Sequence, residues 1–385
     1  MISGYIAIPI AFAVHFWLGK DASWEPMVTF VLASLGVLPL AHLMGEATEH
    51  LSQKTGPTWG GLLNATFGNA AEIIIAIIAL HKGLNEVVKA SLTGSIIGNL
   101  LLVGGASMFV GGWRREKQTF SSGAAEANGG LLTIAVAALL MPAIYHFTGE
   151  RSHDRLLVEH DHSVSIGTSV ILIVIYALGL LFTLRTHKHV FSSEPVEDPS
   201  VGVRPDEGHE AWGVKRSVTM LLVAAAGVAV VAELLVGSAE AAAARLGWNH
   251  IFVGVILLAI IGNAAEHSTA IVMAHRNDMD TAMTIVYQSS LQIALFAVPA
   301  LVFVSAGMHW MGWSPHEAGM LNLVFTPLEC AAVVLCVATV VILGINGETN
   351  WFEGALLLGL YLIMAVVFFN LPSEGPHAAT MPAGH

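Results

Sequence analysis

The chain has 385 residues, of which 16 are Lys or Arg and 28 are Asp or Glu, so only 11% are charged while 55% are hydrophobic. An ordinary soluble domain is roughly a quarter charged. The deficit argues against a cytosolic enzyme, a nucleic-acid binder and a disordered protein, and the net charge of -12 comes without the basic clusters that nucleic acid requires. The composition instead predicts an all-α, polytopic membrane protein.

Apolar runs separated by polar or Gly/Pro-rich connections predict about eleven transmembrane helices, because roughly 20 apolar residues cross the hydrocarbon core of a bilayer. The connection between the sixth and seventh helices is long, acidic and polar, which is typical of a solvated linker. In chain order the predicted helices cover about 3–19, 26–51, 58–81, 84–112, 124–147, 163–187, 215–245, 251–275, 279–307, 318–344 and 351–370.

The distribution of basic residues predicts the orientation in the membrane. All 16 Lys and Arg were assigned to connections: ten follow even-numbered helices and six follow odd-numbered ones. Since cytoplasmic loops carry the excess of Lys and Arg, the N-terminus is predicted to be cytoplasmic and the C-terminus to lie outside. The six residues of the minority are Lys20, Lys82, Lys89, Arg151, Arg155 and Arg245.

A repeated motif divides the chain into two related halves. The sequence Gly-Asn-Ala-Ala-Glu at 68–72 recurs at 262–266, a shift of 194 positions. The same shift carries one residue of each neighbouring helix onto an identical residue, which indicates a duplicated helical unit. These matches are Glu46 with Glu240, Gly60 with Gly254, and Ser95 with Ser289.

The repeat predicts the organisation of the whole chain. Each unit holds five helices, an odd number, so the second copy enters the membrane from the opposite side, and such inverted repeats are typical of alternating-access transporters. The predicted parts are a first helix in 1–25, a first five-helix repeat in 26–187, an acidic cytoplasmic linker in 188–214, a second repeat in 215–372 and a C-terminal tail in 373–385.

Glu72 and Glu266 are the strongest candidates for a functional site. Both lie inside apolar helices at equivalent positions of the two repeats, where an ionised carboxylate costs several kcal/mol. No Lys or Arg lies near them in either helix, so bound protons or a bound cation are the expected partners. In the alternative interpretation, both acids stay protonated and only hydrogen-bond between helices.

Further oxygen donors accompany the two acids. Gly68 and Gly262 can loosen the helix and free backbone carbonyls, while Asn69 and Asn263 supply amide oxygens. Calcium prefers roughly six to eight oxygen ligands of these kinds. The helix that follows each motif adds polar side chains that either bind ions or join helices. These are Ser95 and Asn99 in the first repeat, and Ser289, Ser290 and Gln292 in the second.

Four other residues are candidates for a proton or cation relay and for gating. Glu46, Glu49 and Glu240 lie toward the ends of the preceding helices, where they either line a water-filled vestibule or are solvated helix ends. His267 follows Glu266 directly and suits proton transfer, although a structural role is an equal alternative. A separate segment, 152–162, is rich in His and Asp, but it lacks a defined metal-ligand spacing and is predicted to be an ordinary polar loop.

The sequence resembles the cation/proton exchangers of the CAX type, within the calcium/cation antiporter superfamily, over nearly its whole length. The resemblance rests on the motif at 68–72 and its copy at 262–267, together with similar stretches at 38–49, 289–296, 325–329 and 347–354. The departures are Asn346, where the family often has an acid, and a short N-terminus without the tail of plant members, which suggests a prokaryotic protein.

The resemblance implies an eleven-helix fold with a midplane site at Glu72 and Glu266 that binds Ca²⁺ and protons in turn, with Ser289 and Gln292 nearby. It also implies that the second and seventh helices move as gates. The prediction is therefore a Ca²⁺/H⁺ antiporter of a prokaryotic plasma membrane that uses the lipid bilayer, Ca²⁺ and H⁺ but no cofactor. Alternatives are a Na⁺, K⁺ or Mn²⁺/proton exchanger and a cation channel. No nucleophile-base pair or metalloprotease motif predicts an enzyme.

Overall fold

The fold was examined in a computed structural model, in which the described residues are 2–18, 22–55, 60, 63, 66–152, 156–183, 212–313, 315 and 319–372. Most of the predicted linker and all of the predicted tail at 373–385 lie outside these residues. Within them the chain forms eleven helices of 12 residues or more and one short pair of strands. The predicted all-α architecture is confirmed.

The helices follow one another in the predicted order. They are α1 (Ile2–Ala13), α2 (Glu25–Thr55), α3 (Ala70–His81), α4 (Asn85–Gly112), α5 (Ser122–Arg151), α6 (Leu157–Leu181), α7 (Val214–Leu246), α8 (His250–His275), α9 (Met279–Trp310), α10 (Pro327–Gly344) and α11 (Trp351–Phe369). The strands β1 (Gln118–Thr119) and β2 (Glu348–Thr349) pair antiparallel between two of the connections.

Eight of the described helices are long and apolar enough to cross a membrane. Helix α8 makes a ninth span if its two parts, His250–Ala264 and Glu266–His275, count together across a bend of 69°. Two shorter apolar segments, Gly4–Trp17 and Ala70–His81, fall at the predicted first and third spans. The chain is thus a polytopic membrane protein, and a total of eleven spans stays a prediction.

Two helix starts were predicted wrongly, each for a local reason. The tenth helix starts at Pro327 rather than at 318, because Thr326 and Glu329 form a capping box and a proline at the first helical position has no N–H to satisfy. The sixth starts at Leu157 rather than at 163. Its first turns are polar, but the buried Asp161 accepts a 2.6 Å hydrogen bond from His146 of α5 and is held in the helix.

Helix α7 packs along α2, and small residues bring the two helices together. An added Cβ on Gly227 would lie 3.0 Å from a methyl group of Leu40, and one on Gly36 would lie 3.5 Å from Val231. The contact at Gly227 is tight, so a larger side chain there would have to displace Leu40, whereas the distance at Gly36 is that of an ordinary van der Waals contact with α7. The two helices that are equivalent in the repeat therefore form one closely packed pair.

Helices α4 and α9 are the most buried of the eight spans and form the centre of the molecule. Each changes from α to π geometry, at Gly98–Val103 in α4 and at Ile293–Ala297 in α9. A shift of 194 carries the first segment onto 292–297, so the repeat extends to a local irregularity of the backbone. Such π segments occur often at functional sites.

The contact between α4 and α8 depends on Gly94. A second glycine, Gly98, lies about one turn further along α4 and has no close neighbour among the described residues. An added Cβ on Gly94 would overlap the backbone of Val255, whereas one on Gly98 would meet no described heavy atom within 4 Å.

We expect Gly94→Ala to destabilise the protein by about 1–3 kcal/mol. Gly98→Ala is the matched control and should leave the melting temperature in detergent unchanged or slightly raised. Equal melting temperatures for the two variants would contradict this packing.

Candidate cation site

Glu72 follows an interruption of the helix in the first repeat. Gly68 and Asn69 form a turn, and regular helix begins at Ala70, so that Glu72 lies in the first turn of α3. The free N–H groups and the dipole of a helix N-terminus favour a negative charge there. The described residues 66 and 67 of the predicted helix over 58–81 are helical, Gly68 and Asn69 interrupt the helix, and α3 continues without a break from Ala70.

The carboxylate of Glu72 is 4% exposed and is held by the second repeat as well as the first. Its Oε1 accepts a hydrogen bond from the hydroxyl of Ser95 in α4. The same hydroxyl accepts a 2.9 Å bond from the amide of Asn263 in α8. Ser95 therefore connects the acid of one repeat with the asparagine of the other.

Glu266 approaches the same place from the second repeat, in the bend of α8. The helix backbone is close there, because an added Cβ on Gly262 would lie 3.6 Å from the Cβ of Glu72. This is an ordinary van der Waals distance, so α8 packs directly against Glu72 at this point. Two ionised carboxylates in the same region would repel each other. The structure brings the two acids into one region, and their role as a cation site stays a prediction.

Two more cross-repeat contacts surround the acids. The amide of Asn69 donates to Gln292 Oε1 in α9 at 2.8 Å. His267 Nε2 lies 3.0 Å from Asn99 Oδ1 in α4, and both side chains are buried. The predicted residues of α3, α4, α8 and α9 therefore form one polar cluster within an otherwise apolar interior.

Several oxygens of this cluster are buried and lack a hydrogen-bond partner among the described residues. They are Oε2 of Glu72, Oε2 of Glu266 and Oδ1 of Asn69. None of the ion pairs in the described part of the chain involves Glu72 or Glu266. Since a buried unpaired oxygen is costly, these three atoms are suited to a proton or a hard cation.

Other predicted site residues lie apart from these contacts. The hydroxyl of Ser289 donates to Ile285 O of its own helix at 2.6 Å, so Gln292 rather than Ser289 reaches the first repeat. Glu49 is exposed, and Glu46 lies 4.0 Å from His50 on the same helix. Glu240 is exposed and lines a cavity of about 350 Å³. The relay and gating roles of these acids stay predictions.

The His- and Asp-rich segment at 152–162 is only partly a loop, which corrects the prediction. His153–Arg155 lie outside the described residues, and from Leu157 the segment is helical. Asp161 contacts His146, which also lies 3.4 Å from Glu150. In the described part of the chain no group of three or more His, Cys, Asp or Glu side chains is arranged to hold a metal.

Two charged contacts of the structure were not predicted from the sequence. Lys89 was assigned to a connection but lies within α4, 6% exposed, where it pairs with Glu86 at 2.7 Å and donates to Val324 O at 2.8 Å. Glu233 lies inside the apolar stretch of α7 and pairs with Lys82 at 2.6 Å. Glu233 could have been noticed in the sequence as a lone acid within an apolar run. Its partner, Lys82, could not, because the tertiary fold brings the two residues together.

Comparison with known proteins agrees with this architecture. The sodium/calcium exchanger protein family matches residues 25–185 and 216–370, which are the two repeats without the linker. The chain belongs to this family.

Characterised relatives cover nearly the whole chain. It is 44% identical over 373 residues to a Ca²⁺/H⁺ antiporter of Synechocystis, covering 95% of each chain. It is 42% identical over 356 residues to the Ca²⁺/H⁺ antiporter ChaA of Bacillus subtilis, covering 92% of this chain and 95% of that protein. The solved structure of native YfkE is similar with a TM-score of 0.75 and 37% identity, over 95% of this chain and 99% of that one.

The bridge through Ser95 can be tested by removing one hydroxyl. Ser95→Ala takes a donor from the buried Glu72 and an acceptor from Asn263, and one lost hydrogen bond to a charged group is worth about 1.5–3 kcal/mol. We expect Ca²⁺ binding to purified protein, measured by calorimetry, to weaken at least about tenfold. Ser290→Ala is the matched control, because that hydroxyl donates to Val286 O of its own helix. An unchanged affinity in Ser95→Ala would contradict the bridge.

Proposed function

We propose that this protein is a secondary Ca²⁺/H⁺ antiporter that works by alternating access. The observation that carries the proposal is the pair Glu72 and Glu266, brought together by the two repeats, with unpaired buried oxygens and without a described basic partner. The Synechocystis and Bacillus relatives are Ca²⁺/H⁺ antiporters by name, which agrees with this proposal. Membership of an exchanger family further supports transport rather than an enzymatic reaction.

Charge balance explains why such a site exchanges its ligands. Two ionised carboxylates carry a charge of about -2, which is neutralised either by one Ca²⁺ or by two protons. An empty, charged site is unfavourable in the low dielectric of the membrane interior. The transporter therefore changes between its two orientations only when the site holds Ca²⁺ or protons. Exchange follows from this rule without covalent chemistry.

The oxygen donors favour a hard cation as the substrate. The free carboxylate oxygens of Glu72 and Glu266 and the amide oxygen of Asn69 supply three ligands, and the carbonyls freed at the Gly68 turn and water supply others. We assign Asn263, Ser95, Gly262, Gln292 and His267 to the support of these groups. Asn99 holds His267 in turn.

The alternating motion and its direction are part of the same proposal. We assign the gating motion to α2 and α7, which are equivalent in the repeat and pack on each other, and the fixed part to the buried helices α4 and α9. The excess of basic residues after even-numbered helices supports a cytoplasmic N-terminus and an external C-terminus. The similarity to bacterial relatives supports a prokaryotic plasma membrane, where inward proton flow would extrude Ca²⁺.

Reconstitution into proteoliposomes tests the transport activity. An imposed pH gradient should drive ⁴⁵Ca²⁺ uptake against its gradient, and either Glu72→Gln or Glu266→Gln should abolish it, since each removes one of the two charges. Ser290→Ala is the control for folding and insertion. Competition by unlabelled Ca²⁺, Mn²⁺, Na⁺ and K⁺ separates the proposal from the other exchangers. Retained coupled uptake in both glutamine variants would refute the assignment of the site.

The pH dependence of binding follows from competition between protons and Ca²⁺ for the same oxygens. In the pH range where both acids are protonated before Ca²⁺ binds, two protons must leave, so affinity rises with pH by up to about 100-fold per unit. Once both acids are ionised, affinity no longer depends on pH. Calorimetry over a pH series should give this curve, and a single variant such as Glu266→Gln should lower the limiting slope to about tenfold. A flat curve throughout would contradict shared ligands.

A further inference from the structure

Glu233 is an acid within the membrane that the cation site does not use. It lies in α7 between apolar residues, about 20 Å from the end of the helix at Leu246 at about 1.5 Å per residue. A charge at this depth requires a partner or a water-filled cavity. Its Oε1 lies 2.6 Å from Nζ of Lys82, which follows the last residue of α3.

The face of α7 that carries Glu233 borders a cavity. Glu233, Gly237 and Glu240 follow one another at helical spacing and all three are exposed in the fold. Lys82 Nζ lies 3.4 Å from the position of a Cβ on Gly237, so the glycine leaves room for the lysine. Glu240 lines the cavity of about 350 Å³ together with Glu86 and other residues of the α3–α4 region.

The ion pair joins a proposed gate helix to the helix that holds the cation site. Glu72 is in the first turn of α3 and Lys82 lies ten positions later, about 15 Å further along the helix. The bond between Lys82 and Glu233 therefore fixes α7 to α3 on one side of the site. Movement of α7 away from α3 would break it.

None of the ion pairs among the described residues lies at the equivalent position of the opposite gate. The repeat shift of 194 carries Lys82 onto another basic residue, Arg276, but it carries Glu233 onto Pro39 of α2. Proline has no charge with which to hold the arginine. The two halves thus have the same fold but differ at this contact.

We propose that the ion pair between Lys82 and Glu233 is a latch that keeps closed the route from the cation site to the face formed by the α3–α4 and α7–α8 turns. This inference rests on the proposed alternating-access function, in which that face is the external one. The latch stabilises the state that is closed to the outside. Its absence at the opposite gate makes the two orientations of the transporter unequal in population.

Removal of either charge should favour opening on this side. A partly exposed ion pair contributes about 1 kcal/mol, which corresponds to about a fivefold change in population. Since only the open fraction binds substrate, the apparent KM for Ca²⁺ from the external face should fall up to about fivefold in Glu233→Gln and in Lys82→Met. The KM from the opposite face should not fall. Both are measured in proteoliposomes of defined orientation.

Two comparisons separate a latch from a general structural effect. The exchanged pair, Lys82→Glu with Glu233→Lys, should restore most of the wild-type difference between the faces. Lys117→Met is the matched control, because Lys117 forms an ion pair of the same 2.6 Å length with Glu348 at the opposite end of the molecule. This control should leave the external KM unchanged.

The latch fails if both single variants keep the wild-type KM on each face, or if the exchanged pair behaves like the singles. Either result would leave the antiport itself intact, as judged by pH-driven uptake in the same vesicles. Hydrogen–deuterium exchange provides a readout that does not require transport. Peptides covering 82–89 and 233–246 should exchange faster in the single variants than in wild type and the exchanged pair, and equal exchange in all four proteins would overturn the latch.

Discussion

The structure depends on two carboxylates, Glu72 and Glu266, that each have a buried oxygen without a partner and form no ion pair with any residue that the structure describes. The backbone is irregular at both of them: the turn at Gly68 and Asn69 interrupts the helix before the first, and the bend of α8 lies beside the second. Since an uncompensated charge in the membrane interior is costly, the site is stable only when loaded. The same electrostatic constraint that makes the acids unfavourable for folding makes them suitable for coupled exchange.

Much of this arrangement was predictable from the sequence because the repeat gives positional information. The shift of 194 identified both acids and Ser95, and the π segments of α4 and α9 obey the same shift. Of the two residues of α9 that were expected near the acids, Gln292 contacts Asn69, whereas the hydroxyl of Ser289 bonds within its own helix. Contacts such as the bond between Ser95 and Asn263 join residues far apart in sequence, and no local pattern specifies them.

Helix boundaries and charged partners were less accessible to sequence reasoning for a physical reason. A hydropathy pattern leaves out polar turns that tertiary contacts hold in a helix, as at Asp161, and it does not reveal a capping box such as that of Thr326. Lys89 can be buried in α4 because its ammonium group pairs with Glu86 and donates a hydrogen bond to a backbone carbonyl. A hydropathy pattern does not reveal these partners. The two repeats also differ in side-chain pairs such as Lys82 with Glu233, whose equivalents at a shift of 194 are Arg276 and Pro39.

The central claim is that Ca²⁺ and protons occupy the same two carboxylates. The most direct measurement is the number of protons that purified protein releases into a weakly buffered detergent solution when Ca²⁺ binds, starting at a pH where both acids are protonated. The account predicts about two protons per Ca²⁺ in wild type and at most about one in Glu72→Gln or Glu266→Gln wherever binding persists. Binding of Ca²⁺ without proton release, or an undiminished release in both variants, would contradict it.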